Sequence, residues 1–354
     1  MNHRIWILRS VLILISALPL HARDKTDVLV MKNGDHMTCE VKGLSQGVLY
    51  VSFDYIDGTT SVDWSKVLRL ESKQLFLVKT AGGSVYMGTL TTPENSADQP
   101  VKIEVMPAPD QEAAAIERKQ IVSMVATSDK FWERFSGDVS FGTIYSKGNQ
   151  STQLSLSSST VYVRDRWNAG ASYDSSLSSS TGTNASTRNS VNFTMQHLLP
   201  PENWFYAGLG GVLQSSEQQI QSQSTIGGGI GRYVKNTNRT MIAVLGGVAW
   251  QGTTYESSVP QSNNQNSAAA LIFGDARFFK FSKTNLNATA ALLPSLSQPG
   301  RLRLSTNAAY YVKIWSNLKL NVSFYGNWDN QPPPNLSGSD YGSSTGLSWT
   351  FGLK

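Results

Sequence analysis

The sequence has 354 residues, of which 40% are hydrophobic and only 16% are charged, and its formal net charge is +5 at pH 7. This weak basic excess differs from the dense positive patch of a nucleic-acid-binding protein, so we expect no nucleic-acid partner. The single cysteine, Cys39, excludes a framework of disulfide bonds within the chain.

Residues 1–22 have the pattern of a secretory signal peptide. Arg4 and Arg9 supply a positive start, residues 11–20 form an apolar run, and Ala22 offers a small residue at the cleavage point. The run is shorter than the ~20 residues of a membrane-spanning helix, which disfavours the alternative of an uncleaved anchor. Cleavage removes two arginines and no acid, which lowers the formal charge from +5 to +3.

Residues 23–90 predict a small all-β module in the periplasm. Two β-rich runs flank Asn33 and Gly34, a strong hairpin signal, and the same strand–glycine–strand pattern returns around Gly83. Short strands of this kind suit an SH3-like or Sm-like barrel. The stretches LVMKNGD, CEVKGL and GVLYV resemble an Sm motif, which would imply RNA binding, but an exported protein with sparse Lys and Arg does not suit that role.

Residues 91–130 predict a linker between the module and the rest of the chain. Two stretches, TTPENSADQP and MPAPDQEAAA, are rich in proline and polar residues. The segment EAAAIERKQIVSMV, which overlaps the second stretch, has a composition compatible with a short helix within this structural spacer.

Residues 131–354 predict an antiparallel transmembrane β-barrel of about twelve strands. The segments alternate apolar and polar residues over about ten positions, which is the pattern of strands in outer-membrane barrels. Connections after even-numbered strands are short and several of the others are long, as expected for periplasmic turns and outer loops. The predicted strands span residues 135–146, 152–163, 166–175, 188–197, 203–214, 223–234, 239–251, 267–281, 284–293, 301–314, 317–328 and 341–353.

Alternation also sorts the side chains of the barrel between lipid and lumen. The strand from residue 301 to 314 places leucines on one face and basic residues on the other. We expect six charged residues to line the lumen, where they either form a polar channel or fill it with ion pairs: Arg301, Arg303, Lys313, Lys319, Asp138 and Asp174. Tryptophans prefer the two membrane interfaces, which predicts a girdle of Trp132, Trp167, Trp204, Trp250, Trp315, Trp328 and Trp349.

The C-terminal stretch LSWTFGLK reads as the strand that closes the barrel. Its apolar face would meet lipid, and pairing with the first strand would leave no unpaired backbone edge in the bilayer. Such a strand also resembles the signal that the barrel insertion machinery reads, which predicts this machinery as a partner of residues 347–353.

Four stretches in this region carry a family resemblance. Trp132, Gly137, Gly142 and Gly148-Asn149 are followed in order by STIGGGIGRYV, LPSLSQPGRLRLSTNAAYYVKI and DYGSSTGLSWTFGLK. Together they resemble the YdiY-like, salt-induced outer membrane protein family, whose barrel domain is catalogued as domain of unknown function 481. The resemblance implies the barrel architecture and transfers no catalytic or binding residue.

A search of the sequence for chemistry favours no catalytic, cofactor or metal site. Gly342–Gly346 fits the G-x-S-x-G pattern around Ser344, but it lies at the start of a strand and no helix follows. Gly227–Gly231 lacks the helix that a phosphate loop requires, and glycine in a barrel strand relieves crowding. His197 is the only histidine of the barrel and is expected at an interface.

These observations predict a non-enzymatic protein of the Gram-negative outer membrane, either a narrow pore or a structural barrel, with its module in the periplasm. The expected partners are outer-membrane lipid and, for the module, a periplasmic protein or peptidoglycan. Two alternatives remain open: an outer-membrane enzyme acting on lipid, and a soluble periplasmic β-sheet binding module.

Overall fold

The computed structural model describes most of the chain as two all-β units. The predicted signal peptide at residues 1–22 and Trp132 lie outside the described residues. In the part of the chain that is described, no helix is long and apolar enough to cross a membrane. The described residues are 25–93, 101–106, 113–126, 134–146, 151–164, 166–180, 185–199, 203–256, 264–280, 284–315, 317–334 and 336–351.

The N-terminal module is a nine-stranded sheet that curls into a small barrel-like shape. The central strands β2 and β5 each pair with three others, and together with β1 and β9 they form a closed ring. Its strands are Asp27–Met31 (β1), His36–Ser45 (β2), Val48–Phe53 (β3), Ile56–Asp63 (β4), Val67–Thr80 (β5), Val85–Thr91 (β6), Lys102–Met106 (β7), Ala114–Glu117 (β8) and Ile121–Ala126 (β9).

The core of the module comes from the inward-facing residues of this curled sheet. Leu29, Val41 and Phe76 are fully buried, and Trp64 donates a hydrogen bond from its indole nitrogen to the carbonyl oxygen of Arg118 (2.9 Å). Alternate residues of a strand point to opposite faces, so the curling gathers the apolar faces of all these strands into one core.

The module contains the same structural pattern twice. A strand leads into a tight turn in which the amide of Gly34 donates to the carbonyl oxygen of Met31 (2.9 Å), and Gly83 donates to Thr80 in the same way (3.0 Å). Both glycines have a positive φ, +91° and +87°, which side chains disfavour. The sequence repeat around Gly34 and Gly83 therefore corresponds to a repeat of the same backbone geometry.

Each copy also ends in the same manner. A 3₁₀ turn, Trp64–Lys66 in the first copy and Arg118–Gln120 in the second, precedes the closing strand. Its first amide donates to the carbonyl oxygen of Gly47 in the first copy (3.1 Å) and of Val101 in the second (2.8 Å). The long strand β5 closes the first copy and opens the second.

The predicted linker is wrong for residues 102–106 and 114–126, which belong to the module. They form β7, β8 and β9, and β9 pairs with β2 and β5. The predicted short helix is wrong as well, because residues 114–126 form β8, a 3₁₀ turn and β9. Ile116, Ile121 and Met124 are buried in the module core. Burial of these side chains overrides the local helix propensity of the alanine-rich stretch.

The second unit is a closed barrel of twelve antiparallel strands, which confirms the predicted fold class. The first strand pairs with the last, from Gly137 opposite Phe351 to Phe141 opposite Leu347. The strands are Phe135–Ser146 (β10), Ser151–Val163 (β11), Trp167–Ser179 (β12), Ser186–Leu199 (β13), Trp204–Ser215 (β14), Ile220–Asn236 (β15), Thr240–Tyr255 (β16), Asn264–Lys280 (β17), Thr284–Pro294 (β18), Leu302–Lys313 (β19), Leu318–Asp329 (β20) and Ser339–Phe351 (β21).

The two ends of the barrel differ in their connections. The turn end, where the barrel begins and where the module lies, has the short connections 164–166, 200–203, 237–239, 281–283 and 314–317. The loop end has the connections 147–150, 180–185, 216–219, 256–263, 295–301 and 330–338.

Candidate functional site in the barrel lumen

The barrel is apolar on its outer face. Phe141, Ile226 and Val248 point outward and are 58%, 64% and 63% exposed. Their neighbours along each strand point inward, and the antiparallel register places inward residues of adjacent strands side by side. The candidate site is this inner face.

One side of the inner face is polar and accessible to water. Ser157, on β11, lies opposite Asp174, on β12, and the next inward pair is Ser172 opposite Asn192. Asp174, Asn192 and Thr194 are exposed although they point into the barrel. The closed ring of strands therefore leaves free space beside these polar side chains.

The opposite side of the inner face is apolar and filled. Phe205, Leu245, Leu271 and Leu293 come from four of the strands β14 to β18 and pack together with little exposure. Gly231 lies beneath the ring of Phe205, where a Cβ atom would come within 2.3 Å of the ring. The glycines of β15 and β16 thus leave room for neighbouring side chains. The exposed inward residues Asp174, Asn192 and Thr194 lie away from this packed side, on β12 and β13.

A buried ionic cluster occupies the lumen at the loop end. The guanidinium of Arg301 donates to both carboxylate oxygens of Asp329, at 3.0 Å and 2.5 Å, and also to Gln265 at 2.8 Å. Arg303 donates to the same carboxylate at 3.3 Å and to the amide oxygen of Gln251. The two arginine side chains are only 4% and 8% exposed, so the cluster joins β16, β17, β19 and β20 across the interior.

A second ion pair lies at the same end on the polar side. Arg188 contacts the carboxylate of Asp340 at 3.4 Å, and the hydroxyl of Ser215 donates to that carboxylate at 2.7 Å. The guanidinium of Arg188 also lies over the ring of Tyr325, 4.5 Å from its centroid. Beside the first cluster, a cavity of about 50 Å³ remains next to Arg303, which is space for only a few water molecules. The loop end of the lumen is therefore crossed by two ionic contacts and holds little free space next to Arg303.

The barrel residues match a known protein family. A family model described as "Protein of unknown function, DUF481" matches residues 139–351. The chain belongs to this family. The match confirms the resemblance carried by the glycines and aromatic residues of the barrel, and its description attaches no activity to DUF481.

Two solved structures similar to this DUF481 chain are bacterial proteins. The translocator domain of autotransporter NalP from Neisseria meningitidis shares 12% identity, with a TM-score of 0.34, over 61% of this chain and 87% of that chain. The outer membrane protease OmpT from Escherichia coli shares 11% identity, with a TM-score of 0.23, over 61% of this chain and 96% of that chain. No curated protein matches the sequence.

The charged residues expected in the lumen of the DUF481 barrel lie at different depths. Asp138 is near the turn end and accepts a hydrogen bond from Ser159 (2.7 Å), and Asp174 lies midway. Lys319 packs over the ring of Tyr311 on the inner face, 5.7 Å from its centroid. Lys313, at the turn end, donates to Ser61 of the module (2.9 Å). Arg303 and Arg301 belong to the loop-end cluster.

The expected tryptophans of the DUF481 barrel lie near its two ends. Trp167 packs against His197 on the outer face, 4.8 Å between ring centroids, and Arg232 lies over Trp204 at 5.4 Å. Near the turn end lie Trp167, Trp204, Trp315 and Trp349, and near the loop end lie Trp250 and Trp328; all six are exposed.

The structure separates the two residues that suggested chemistry. Ser344 points into the barrel and shares a hydrogen bond with Ser323 (2.7 Å). His197 points outward against Trp167. They lie on opposite faces of the barrel wall and form no nucleophile–base pair. Among the described residues, no group of three or more His, Cys, Asp or Glu side chains is placed to hold a metal ion.

Sequence reasoning missed Asp329, Arg188 and Asp340, which anchor the loop-end clusters. Strand alternation contains the signal for the first of these, because Asp329 shares a face with Lys319 and lies opposite Arg303 on the neighbouring strand. Arg188 and Asp340 come from β13 and β21, and only the closed barrel brings them together.

Proposed function

We propose that this DUF481 protein is a non-enzymatic barrel of the Gram-negative outer membrane that forms a narrow conduit for ions or small polar solutes. An even number of antiparallel strands, an apolar outer face and aromatic residues near both ends support a place in the outer membrane. The short connections support a turn end in the periplasm and a loop end outside the cell. The module then lies in the periplasm.

The observation that carries the conduit is the exposed polar inner face of β12 and β13 inside a closed barrel. Asp174, Asn192 and Thr194 expose polar atoms to this space, whereas the apolar side is packed shut. This inner face reaches the loop end beside Arg188 and Asp340, and the Arg301–Asp329–Arg303 cluster lies at the same end. We propose that this cluster acts as a latch at the outer mouth. In this state the conduit is narrow, and opening it requires that the ionic contacts of the cluster separate.

An enzyme acting on lipid is the competing proposal. It needs a nucleophile and a base within hydrogen-bond reach, close to the membrane surface. The positions of Ser344 and His197 on opposite faces of the wall favour the non-enzymatic proposal. We also propose that the C-terminal strand, residues 347–353, is the segment recognised by the barrel insertion machinery, and that outer-membrane lipid surrounds the apolar face.

Planar-bilayer recordings of the full mature chain test the conduit. We expect small current steps for the native protein and steps at least twofold larger for R301S/R303S, because this variant removes both cations of the latch. Arg277→Ser is the matched control, because Arg277 is an inward arginine that pairs with Asp275 on its own strand, away from the latch. It should shift ion selectivity without enlarging the steps. Folded, heat-modifiable barrels that pass no current in any of the three proteins would overturn the proposal.

A further inference from the structure

The module and the barrel meet through side-chain amides of the short connections. Asn203, between β13 and β14, donates from its side chain to the carbonyl oxygen of Ala81 at 2.7 Å. Asn238, between β15 and β16, donates to the carbonyl oxygen of Ile121, also at 2.7 Å. Both acceptors are backbone atoms, so these contacts depend on the backbone conformation of the module.

Three further contacts reach residues that point into the barrel. Asn285, at the start of β18, donates to the side-chain oxygen of Gln46 (2.8 Å), and Lys313, at the end of β19, donates to Ser61 (2.9 Å). All four side chains are partly buried. On the far side of the mouth, the ammonium of Lys79 lies 3.4 Å from the inward-pointing amide oxygen of Asn168, at the start of β12.

These contacts are distributed around the whole opening. The barrel residues come from next to or within each of the five short connections, between β11 and β12, β13 and β14, β15 and β16, β17 and β18, and β19 and β20. A module attached to the side of the barrel would contact two or three neighbouring connections. Contacts at all five require the module to lie across the mouth.

Backbone strain is concentrated at the same places. Among the described residues, three non-glycine residues have a positive φ, and two of them, Gln46 and Asn203, take part in these contacts. Such conformations persist only where surrounding structure holds them, and they cluster at functional contacts. The adjoining glycines are close as well: a Cβ atom on Gly83 would lie 2.7 Å from the amide nitrogen of Asn203, and one on Gly47 would lie 3.0 Å from the carbonyl oxygen of Asn238.

We propose that the duplicated module is a lid that closes the periplasmic mouth of the barrel, so that passage through the lumen requires the module to move away from the short connections. This gating role rests on the proposed conduit, whereas the docking itself does not. The lid and the Arg301–Asp329–Arg303 latch then close the two ends of one lumen.

The repeat supplies a matched control for the docking surface. Gly34 and Gly83 occupy equivalent turns with nearly the same φ, so substitution by alanine imposes the same backbone strain at both. Only Gly83 faces the barrel, since nothing lies within 4 Å of a Cβ atom on Gly34. A difference between Gly83→Ala and Gly34→Ala therefore reports the contact with Asn203 and its surroundings.

Cross-linking in isolated outer membranes tests the docking. The double variant S61C/K313C carries one cysteine in the module and one in the barrel. A short, reducible bis-maleimide should link the two cysteines in most molecules. The native Cys39 is buried and should not react. We expect Gly83→Ala to lower the yield several-fold and Gly34→Ala to leave it unchanged. Equal yields in the two variants, or a yield no higher than that of an N33C/K313C control pair, would contradict the docking.

Recordings of the cross-linked full chain test the gate. In the R301S/R303S background, we expect the S61C/K313C cross-link to reduce the current several-fold and reduction of the linker to restore it. Equal currents before and after reduction would overturn the lid. If the unlinked protein carried no current, the proposed conduit would fail, while the cross-linking yields would still decide whether the module docks.

Discussion

The module and the barrel use the same alternation of side chains with opposite results. In the module, inward residues such as Leu29 and Phe76 are apolar and buried, and outward residues are mostly polar or charged. In the barrel, the outward residues are apolar, and a large part of the inner face is polar and wet. Period-two alternation therefore identifies strands, and only the surroundings decide which face is solvated.

The module and the barrel also use glycine for different purposes. In the module, Gly34 and Gly83 serve tight turns with positive φ. In the barrel, Gly229 lies within a strand, where a Cβ atom would come within 2.2 Å of the carbonyl oxygen of Gly246. The first use is conformational, and the second makes space for the packed apolar side of the lumen.

The largest effect that would separate the two units is loss of the module core. Phe76→Ala removes a fully buried ring, and such truncations cost about 3–5 kcal/mol, a large part of the stability of a small domain. We expect urea to expose the module to proteolysis at a much lower concentration, while the barrel stays heat-modifiable. Tyr55→Ala, at a 73% exposed aromatic residue that stacks on Phe53, is the control and should shift the module transition far less than Phe76→Ala. Simultaneous loss of the barrel would show that the two units are not independent.

The second-largest effect tests the assignment of apolar side chains to the outer face of the barrel and polar side chains to its inner face. Val248→Arg places a charge on the outer face in the middle of β16, which should cost about 2–4 kcal/mol in a bilayer. Asn192→Arg places the same charge on the water-accessible inner face and should cost little. Urea midpoints of the two refolded variants in lipid vesicles measure the difference. Equal midpoints would contradict the assignment of the two faces to lipid and water.

Sequence patterns predicted the barrel more fully than they predicted the module or the site. Each barrel strand carries its own alternation and its own polar connection, so local information suffices for all twelve. The segment EAAAIERKQIVSMV carries helix-forming residues, and its strand conformation depends on pairing with β2 and β5, which are distant in the sequence. Local sequence patterns do not predict the contacts of Asn203 and Asn238 with the module either. An asparagine in a turn is normally explained by the conformation of the turn alone.

The smallest effect concerns the one thiol of the module. Burial, followed by the neighbouring carboxylates of Asp27 and Glu40, raises the pKa of Cys39 to about 12. The folded state thus keeps its proton at pH values where an unfolded chain loses it, so this group makes the free energy of unfolding fall as pH rises from its ordinary pKa towards 12. We expect Cys39→Ala to flatten that slope, measured by urea unfolding of the module between pH 8 and about 10.

Alkylation of Cys39 in the native chain should likewise be negligible at pH 8 and should begin at the urea concentration at which the module unfolds. A reactive Cys39 in the native chain would contradict the closed core and, with it, the contrast between a module that is dry inside and a barrel that is partly wet.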